Sequence, residues 1–392
     1  MVGFWLQSIA LSWLVYRLTG SAVMLGLVAF VTSIPMLVLA PFAGLISDRV
    51  DRRSMVLLTQ SAQMLQAFVL AGLTLGDWVE PWQIVVLALL QGVANTFDGP
   101  ARHSLLTVMV GGKSDLPNAI ALNSLIMNLG RFIGPVVAGL LLAWIGEGWC
   151  FLLNGISYLG VMVSLAKLPT SRASTGASPG NWRSQLREGF AWIWRSLPAR
   201  MLMLNLIALS FSAPNYQTLM PIFAREVFHG DSRIQGLLIT FAGAGALAGT
   251  LMLAARTSTV GLPRVINIGS FMAGAGLCVF SLTSWLPLAA LGLSAVGFGV
   301  IVTGAGTNTI LQGLVEERLR GRIISLYMMG FLGVMPVGGF VLGLLADRFG
   351  PQASLGSFGL IGLASAALLW RRQPAIREGL ATARERAANA AN

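Results

Sequence analysis

Apolar segments of about 20 residues recur along the whole chain, and each could cross a hydrocarbon core of about 30 Å as a helix. Hydrophobic residues form 55% of the 392 positions and charged residues only 10%, a balance that excludes an ordinary soluble domain. Backbone groups in lipid must be hydrogen-bonded within their own segment, so we expect these spans to be helices. The 46 glycines and 16 prolines agree, because both residues are common in packed membrane helices.

The hydropathy pattern predicts an all-α membrane protein. Its twelve predicted spans are 1–17, 24–47, 55–76, 82–100, 117–145, 149–167, 201–224, 234–255, 263–283, 286–306, 321–345 and 352–370. The first span opens at Met1 without a basic flank, so we expect the cytoplasmic end of its helix to be truncated. We do not expect a signal peptide there, because a charged leading region and a cleavage site are both missing.

Basic residues divide unequally between the loops on the two sides of the predicted membrane. If both termini are cytoplasmic, 21 of the 26 lysines and arginines lie on the inner side, and Arg131 lies within a span. The four on the outer side are Arg17, Arg225, Arg233 and Arg348. The positive-inside rule therefore predicts cytoplasmic termini. It also explains the net charge of +11 better than nucleic-acid binding, since no basic face with interleaved aromatic residues is present.

A polar stretch, 169–180, separates two groups of six spans, and its composition is typical of a flexible linker. Trp182, Phe190 and Leu197 then recur at helical spacing with arginines on other faces, which predicts an amphipathic helix on the anionic inner surface. The predicted domains are an N-terminal six-helix bundle, a cytoplasmic linker with this helix, a C-terminal six-helix bundle and a basic cytoplasmic tail, over 1–168, 169–200, 201–371 and 372–392.

Residues that could catalyse a reaction or hold a metal are few and poorly spaced. Cys150 and Cys278 lie in or beside apolar spans, where cysteine behaves more often as a small apolar side chain than as half of a disulfide. His103 and His229 are isolated in loops. Gly111–Ser114 imitates the end of a phosphate-binding loop but lacks its opening glycine. We therefore expect no enzyme activity, catalytic residue, metal or cofactor.

A charged, glycine-led hairpin joins the second and third predicted spans, and a charged turn of this kind must lie in water. It resembles the cytoplasmic loop of the major facilitator superfamily, although Ile46 and Asp51 depart from the usual leucine and glycine. The matching residues are Gly44, Asp48, Arg49, Arg52 and Arg53. An ordinary basic loop that obeys the topology rules is the alternative interpretation.

The resemblance implies that this loop is a conformational latch that closes the cytoplasmic side. Asp48 would then face the start of the eleventh helix near Gly321, where unpaired amides favour a carboxylate. Arg52 would pair with Asp98 at the end of the fourth span. The same resemblance implies the major facilitator fold, in which two six-helix pseudo-repeats form the bundles.

The fifth predicted span contains a second motif. It resembles the antiporter pattern of the superfamily, with Ala138 replacing one glycine, through Gly130, Gly134, Pro135 and Gly139. Gly130 and Gly134 share a helix face that permits close approach of another helix, and Pro135 permits a kink. This pattern is typical of exporters. Simple helix packing, without influence on the direction of transport, is the alternative.

By resemblance, the fifth-span face meets the eighth span at the cytoplasmic side. The expected small-residue partners there are Gly243, Gly245 and Gly249. Three further segments are similar to the enterobactin-exporter-like and macrolide-efflux-like branch, namely Trp13–Ser21, Phe97–Arg102 and Asn118–Ser124. The C-terminal half matches by its layout and by Gly343–Arg348, so the branch does not name a substrate.

Arg131 is the basic residue near the middle of a span, where a charge usually faces a cavity or a polar partner. It could contact an anionic or oxygen-rich substrate, or bond to Gln7, Ser8 or Ser12 on the first span. In the resembling fold the first, fourth, seventh and tenth spans line the substrate cavity. Beside Arg131, the candidates for that cavity are Gln7, Tyr16, Gln91, Asn95, Asn215, Tyr216 and Asn308.

The sequence and its resemblance predict a bacterial inner-membrane transporter that exports siderophore-like or drug-like small molecules by alternating access. Proton-coupled antiport is implied by the resemblance alone, because no acidic residue is clearly placed at the midplane. The expected partners are a small-molecule substrate, the lipid bilayer and protons as the coupling ion, and nucleic acid is not expected. The alternatives are an uptake or lipid-moving carrier of the same fold and a non-transporting membrane sensor.

Overall fold

A computed structural model describes residues 2–47, 51–109, 116–166, 182–256 and 258–391, and within these ranges the regular structure is helical. The helices of the first half are α1 Val2–Thr19, α2 Ala22–Ser47, α3 Arg52–Leu75, α4 Pro81–Met109 and α5 Leu116–Ala166. Those that follow are α6 Trp182–Arg195, α7 Leu197–Ser212, α8 Ser232–Ala254, α9 Leu262–Leu282, α10 Leu286–Leu314, α11 Glu317–Met328, α12 Met335–Phe349, α13 Pro351–Arg371 and α14 Gln373–Ala391.

The predicted membrane character is confirmed by helix length and composition. Among the described residues, nine helical stretches are long and apolar enough to cross a membrane. Two of them contain irregular turns: α7 continues through 3₁₀ and π turns to Val227, and α11 joins α12 through a π turn at Met329–Gly333. Irregular turns of this kind interrupt the backbone hydrogen-bond ladder, so the seventh and eleventh spans are not uniform rods.

The break expected between the fifth and sixth spans is present inside α5. Gly146 has φ 79° and ψ 172°, a left-handed backbone geometry that side chains disfavour. Glycine is therefore the residue that lets the chain turn there. The fifth and sixth predicted spans are the two arms of α5 on either side of Gly146.

The chain divides into two compact units. Unit 1 comprises Met1–Ser178 and Thr218–Thr240, and unit 2 comprises Pro179–Gln217 and Phe241–Asn392. In unit 1, α3 packs against α4 and α5, α1 against α5, and α2 against α4. Its interior is filled by fully buried apolar side chains such as Leu14, Leu70, Ile84 and Phe151. Burial of such side chains against one another is what holds the helices of the unit together.

In unit 2, α9 lies between α10 and α13, and α7 packs against α13. The close approach depends on glycine: a Cβ on Gly274 of α9 would lie 2.6 Å from the backbone nitrogen of Leu363 on α13. Small residues are the usual means by which membrane helices bring their backbones together. The C-terminal helix α14 also belongs to this unit, because Ile376 and Leu380 are buried against α7, α9 and α10.

Candidate functional site

The predicted latch is only partly described. Gly44 lies in the last turns of α2, whereas Asp48 and Arg49 fall outside the described residues. Asp51 begins the third span as its N-cap, because its carboxylate accepts hydrogen bonds from the amide and hydroxyl of Ser54 at 2.9 and 2.8 Å. The departure from the family's glycine therefore has a local structural role. Arg53 follows in the first turn of α3 and is half-buried.

Asp98, on α4, is the buried acidic residue of the described chain, with 9% of its surface exposed. Its Oδ1 accepts hydrogen bonds from Thr59 Oγ1 at 2.9 Å and Gln60 Nε2 at 2.8 Å, both on α3. Its Oδ2 pairs with Arg102 Nη2 at 3.0 Å, one turn further along α4. The side chain of Arg52 is not among those described, so its expected pairing with Asp98 stays a prediction. Three donors around one carboxylate stabilise the charged form at the end of the fourth span.

The polar contacts of α3 continue along one face of that helix. Gln60, Gln63 and Gln66 are three residues apart, and each is buried and bonded to another helix; we call them the glutamine row. Gln63 Nε2 donates to Asn95 Oδ1 of α4 at 3.0 Å, and Gln7 Nε2 of α1 donates to Gln66 Oε1 at 2.8 Å. Two predicted cavity residues, Gln7 and Asn95, are thus bound to this row.

A second partner fixes the amide of Gln7. The Nδ2 of Asn154, in the second arm of α5, donates to Gln7 Oε1, and both side chains are buried. The glutamine row was not identified from the sequence. Its signal was present, since three glutamines at a spacing of three in an apolar helix share one face and need polar partners.

Tyr16, predicted to line the cavity, is buried on α1. Its hydroxyl donates a hydrogen bond to the carboxylate of Glu226, in the π turn that follows the seventh span. One turn earlier on α1, Ser12 accepts a hydrogen bond from Gln235 Nε2 of α8 at 2.8 Å. These contacts explain why Thr218–Thr240 belongs to unit 1. The role of Glu226 was not predicted, because nothing in its local sequence marks it.

The fifth-span motif contacts the eighth span, but at residues other than those expected. Ser232 Oγ donates to the carbonyl oxygen of Gly139 at 3.1 Å, and a Cβ on Gly139 would lie 3.1 Å from Cα of Gly236. A Cβ on Gly236 would collide with the carbonyl of Pro135. The contact therefore uses the start of α8. That end of the helix belongs to the outer side in the predicted topology.

The expected partners Gly243, Gly245 and Gly249 do not supply this contact. A Cβ on Gly245 would collide with the carbonyl of Ser294 on α10, and one on Gly249 would lie 3.1 Å from the carbonyl of Phe298. The correction has a physical cause: a glycine pattern marks a face that permits close approach but does not specify which helix approaches. Gly134 likewise faces Trp5 of α1, whose ring a Cβ would meet.

Arg131 is exposed, and it makes no hydrogen bond or ion pair with the residues that the structure describes. The alternative in which Gln7 or Ser12 bonds to it is not observed, because Gln7 binds Gln66 and Asn154 and Ser12 binds Gln235. Gln91 is half-buried on α4.

The predicted cavity residues of unit 2 bond within their own helices. Asn215 Nδ2 donates to the carbonyl of Phe211 at 2.6 Å, Tyr216 accepts from Gln217 at 3.3 Å, and Asn308 accepts from Gln312 at 3.1 Å. A second buried polar group in this unit was not predicted. It joins three helices by hydrogen bonds of 2.8 and 3.0 Å, through Asn205, Ser270 and Thr303.

A family model described as "transmembrane secretion effector" matches residues 1–389. The chain is 26% identical over 351 residues to a staphyloferrin A transporter of Staphylococcus aureus, which covers 89% of this chain and 87% of that relative. It is 26% identical over 362 residues to the multidrug efflux pump Tap of Mycolicibacterium fortuitum, covering 88% and 86%. It is also 22% identical to macrolide efflux protein A of Streptococcus pyogenes, covering 85% and 83%.

Solved structures share the fold. The nucleoside transporter NupG aligns with a TM-score of 0.71 and 14% identity, covering 94% of this chain and 96% of that one. A bacterial homologue of the human lysosomal transporter Spinster aligns with a TM-score of 0.70 and 14% identity, covering 96% of each chain. At this level of identity the structures show the fold alone.

Proposed function

The chain belongs to the transmembrane secretion effector family of the major facilitator superfamily, and we propose that it exports siderophore-like or drug-like small molecules by alternating access. Members of this family are membrane transporters and not enzymes. The observation that carries the proposal is the match over residues 1–389, which leaves no half of the transporter unaccounted for. The relatives named above are a siderophore transporter and drug efflux pumps, which supports a substrate of that size and class.

The geometry supports a path for a substrate that is partly polar. Both units hold buried or half-buried amide and hydroxyl side chains within otherwise apolar helices, such as Gln91, Asn95 and Asn308. A few polar groups among apolar walls are what orient a mostly apolar ligand. Arg131 adds an unpaired cation within the described part of α5, which suits an anionic or oxygen-rich group on the substrate.

We further infer that the transporter lies in the bacterial inner membrane with both termini cytoplasmic. The support is the distribution of basic residues, 21 of 26 on one side of the predicted spans. Proton-coupled antiport is the proposed energy source. Asp98 is the acid best placed to titrate, since it is buried and surrounded by donors, but the same donors also suit a purely structural carboxylate.

The test uses inverted inner-membrane vesicles that contain the full chain, with an imposed proton gradient, acidic inside. Staphyloferrin A and a macrolide are supplied outside as probes. Accumulation of either probe that depends on the protein and collapses with a protonophore supports export by antiport. Accumulation that ignores the protonophore would remove proton coupling from the proposal. Accumulation in right-side-out vesicles instead would establish uptake, and no transport in either orientation would favour a sensor.

A further inference from the structure

The amphipathic helix α6 is anchored to unit 2 by its inner face. Ile193 is buried among Leu319, Ile323 and Leu326 of α11. A Cβ on Gly189 would lie 2.9 Å from a methyl carbon of Leu326, so the two helices touch closely. This packing fixes the rotation of α6 about its own axis. The opposite face of the helix must therefore point away from unit 2.

That opposite face carries two exposed aromatic rings. Phe190 and Trp194 are 58% and 54% exposed and one helical turn apart. Their rings are stacked, with centroids 5.8 Å apart and planes 16° from parallel. The guanidinium of Arg200 lies 5.5 Å from the centroid of the Trp194 ring, on the side of a cation–π contact. The rings therefore form one preorganised apolar surface with a cation beside it.

The charge around the rings is positive. Arg187 and Arg195 are exposed on the same helix, and Arg200 follows in the first turn of α7. Glu188 is the one acidic residue in the α6 sequence, and its carboxylate is engaged by Arg318 and Arg322 of α11. No acidic residue of α6 is thus left to neutralise the arginines beside the rings. The outer face of α6, defined here by Arg187, Phe190, Trp194 and Arg195, combines apolar surface with uncompensated cations.

We propose that the outer face of α6, together with Arg200, is a binding site for anionic phospholipid headgroups. The position of α6 identifies a membrane as the occupant, because Ser196 alone separates the helix from α7, the start of a candidate membrane span. Phe190 and Trp194 enter the boundary between headgroups and acyl chains, where aromatic side chains concentrate. The arginines bind the lipid phosphates, as basic residues do on an anionic leaflet.

This inference does not depend on the transported substrate or on the direction of transport. It requires only that α7 is a membrane span. It adds a specific lipid requirement to the transporter, because α6 is held to the start of the eleventh span by Glu188 and by Ile193. A lipid bound at the outer face therefore acts on the element that joins the two halves of the chain.

The first test measures the affinity of the purified full chain for phosphatidylglycerol in detergent, from the rise in melting temperature as lipid is added. Each basic residue near an anionic surface contributes roughly fivefold in affinity. The double variant Arg187→Gln/Arg195→Gln should therefore bind phosphatidylglycerol at least about tenfold more weakly than the wild type. Arg371→Gln/Arg372→Gln, which removes two exposed arginines at the end of α13, should change the affinity less than about twofold.

The second test measures insertion directly. The natural cysteines, Cys150 and Cys278, are replaced by alanine, and a nitroxide is attached through Ala191→Cys beside the rings. In vesicles of phosphatidylcholine with phosphatidylglycerol, the nitroxide should collide more with oxygen than with aqueous nickel. Adding Phe190→Ala/Trp194→Ala should reverse this preference, whereas Trp78→Ala, at an equally exposed tryptophan elsewhere, should not.

Either of two results overturns the proposal. One is a wild-type affinity for phosphatidylglycerol in Arg187→Gln/Arg195→Gln, or an equal loss in the α13 control, which would reduce the effect to net charge. The other is a nitroxide at position 191 that stays aqueous in vesicles with phosphatidylglycerol, which would indicate a soluble protein partner. A variant that does not fold is recognised by its lost melting transition, and the nitroxide measurement then decides alone.

Discussion

Glu188 on α6 and Arg318 on α11 form an ion pair with 2.8 Å between Oε1 and Nη1, and Arg322 reaches the second carboxylate oxygen. The hydrogen bond from Arg318 is the largest cause that lowers the pKa of the Glu188 carboxyl, although partial burial opposes it. The pair connects the amphipathic helix to the start of the eleventh span. Because these groups are exposed to water, their contribution is modest and depends on salt.

The first prediction concerns the pH dependence of this connection. The pKa of Glu188 is lower in the folded protein, so its stabilising effect is complete above the unfolded pKa of about 4.3 and is lost as pH falls through the folded value. Glu188→Gln should therefore melt slightly below the wild type near neutral pH. The difference should shrink below about pH 4. Melting temperatures of both proteins across this range provide the measurement.

Glu317→Gln is the matched control for this prediction. Its carboxylate lies 3.9 Å from Arg320 and its side chain is 92% exposed, so its removal should leave the melting temperature unchanged. Equal pH profiles for Glu188→Gln and the wild type would contradict the assigned role of the ion pair.

The second prediction concerns Asp98. Asp98→Asn keeps the shape of the side chain but removes the charge that Arg102 and two neutral donors share. Loss of hydrogen bonds to a buried charged group costs about 1–3 kcal/mol, which lowers the melting temperature by several degrees. Arg102→Gln should cost less, because the arginine side chain is 57% exposed and can be replaced by water. Equal effects of the two variants would show that Asp98 acts only through Arg102.

The third prediction concerns the contact between Gly139 and α8. Gly139→Ala would place a Cβ 2.5 Å from the carbonyl oxygen of Ser232, which is backbone and cannot swing aside as a side chain can. We expect a folded protein with a melting temperature a few degrees lower and with reduced efflux of the probe identified in vesicles. Gly160→Ala in the second arm of α5 is the control, since nothing lies within 4 Å of its Cβ. Wild-type efflux in Gly139→Ala would refute a functional role for this contact.

Much of the fold was predictable from the sequence because single-chain hydropathy determines where a helix must cross a membrane. The break at Gly146 and the amphipathic helix after residue 181 were both predicted from local pattern. Partners across the chain were harder to predict. The sequence marks Gly139 as a place of close approach, but only the three-dimensional packing shows that Ser232 and Gly236 approach it.

The candidate site was predictable to a smaller extent. Asp98 and Arg102 are four residues apart on one helix, so their pairing could have been predicted from spacing alone. The bond between Tyr16 and Glu226 could not, because 210 residues separate them and neither lies in a motif. Such long-range polar contacts depend on how helices are arranged, which local periodicity does not determine.

The fourth prediction tests the bond between Tyr16 and Glu226 by a double-mutant cycle. Tyr16→Phe removes the donor and Glu226→Gln removes the charge of the acceptor, so each should lower stability by about 1 kcal/mol. If the two side chains act as a pair, the double variant should lose less than the sum of the two losses. Melting of the purified protein gives the three differences. Strict additivity would mean that the hydroxyl and the carboxylate do not interact.

The fifth prediction concerns Arg131, whose exposed guanidinium has no partner among the described residues. If it binds an anionic group of the substrate, Arg131→Ala should reduce transport by about 10- to 100-fold, the usual loss for a charged hydrogen bond. Arg131→Lys should keep part of the activity, because it retains the charge but not the forked geometry of the guanidinium. Arg233→Ala, at an exposed arginine beside Asp231, is the control and should transport normally. Transport at the wild-type rate by Arg131→Ala, with equal amounts of protein in the membrane, would show that this cation faces away from the substrate path.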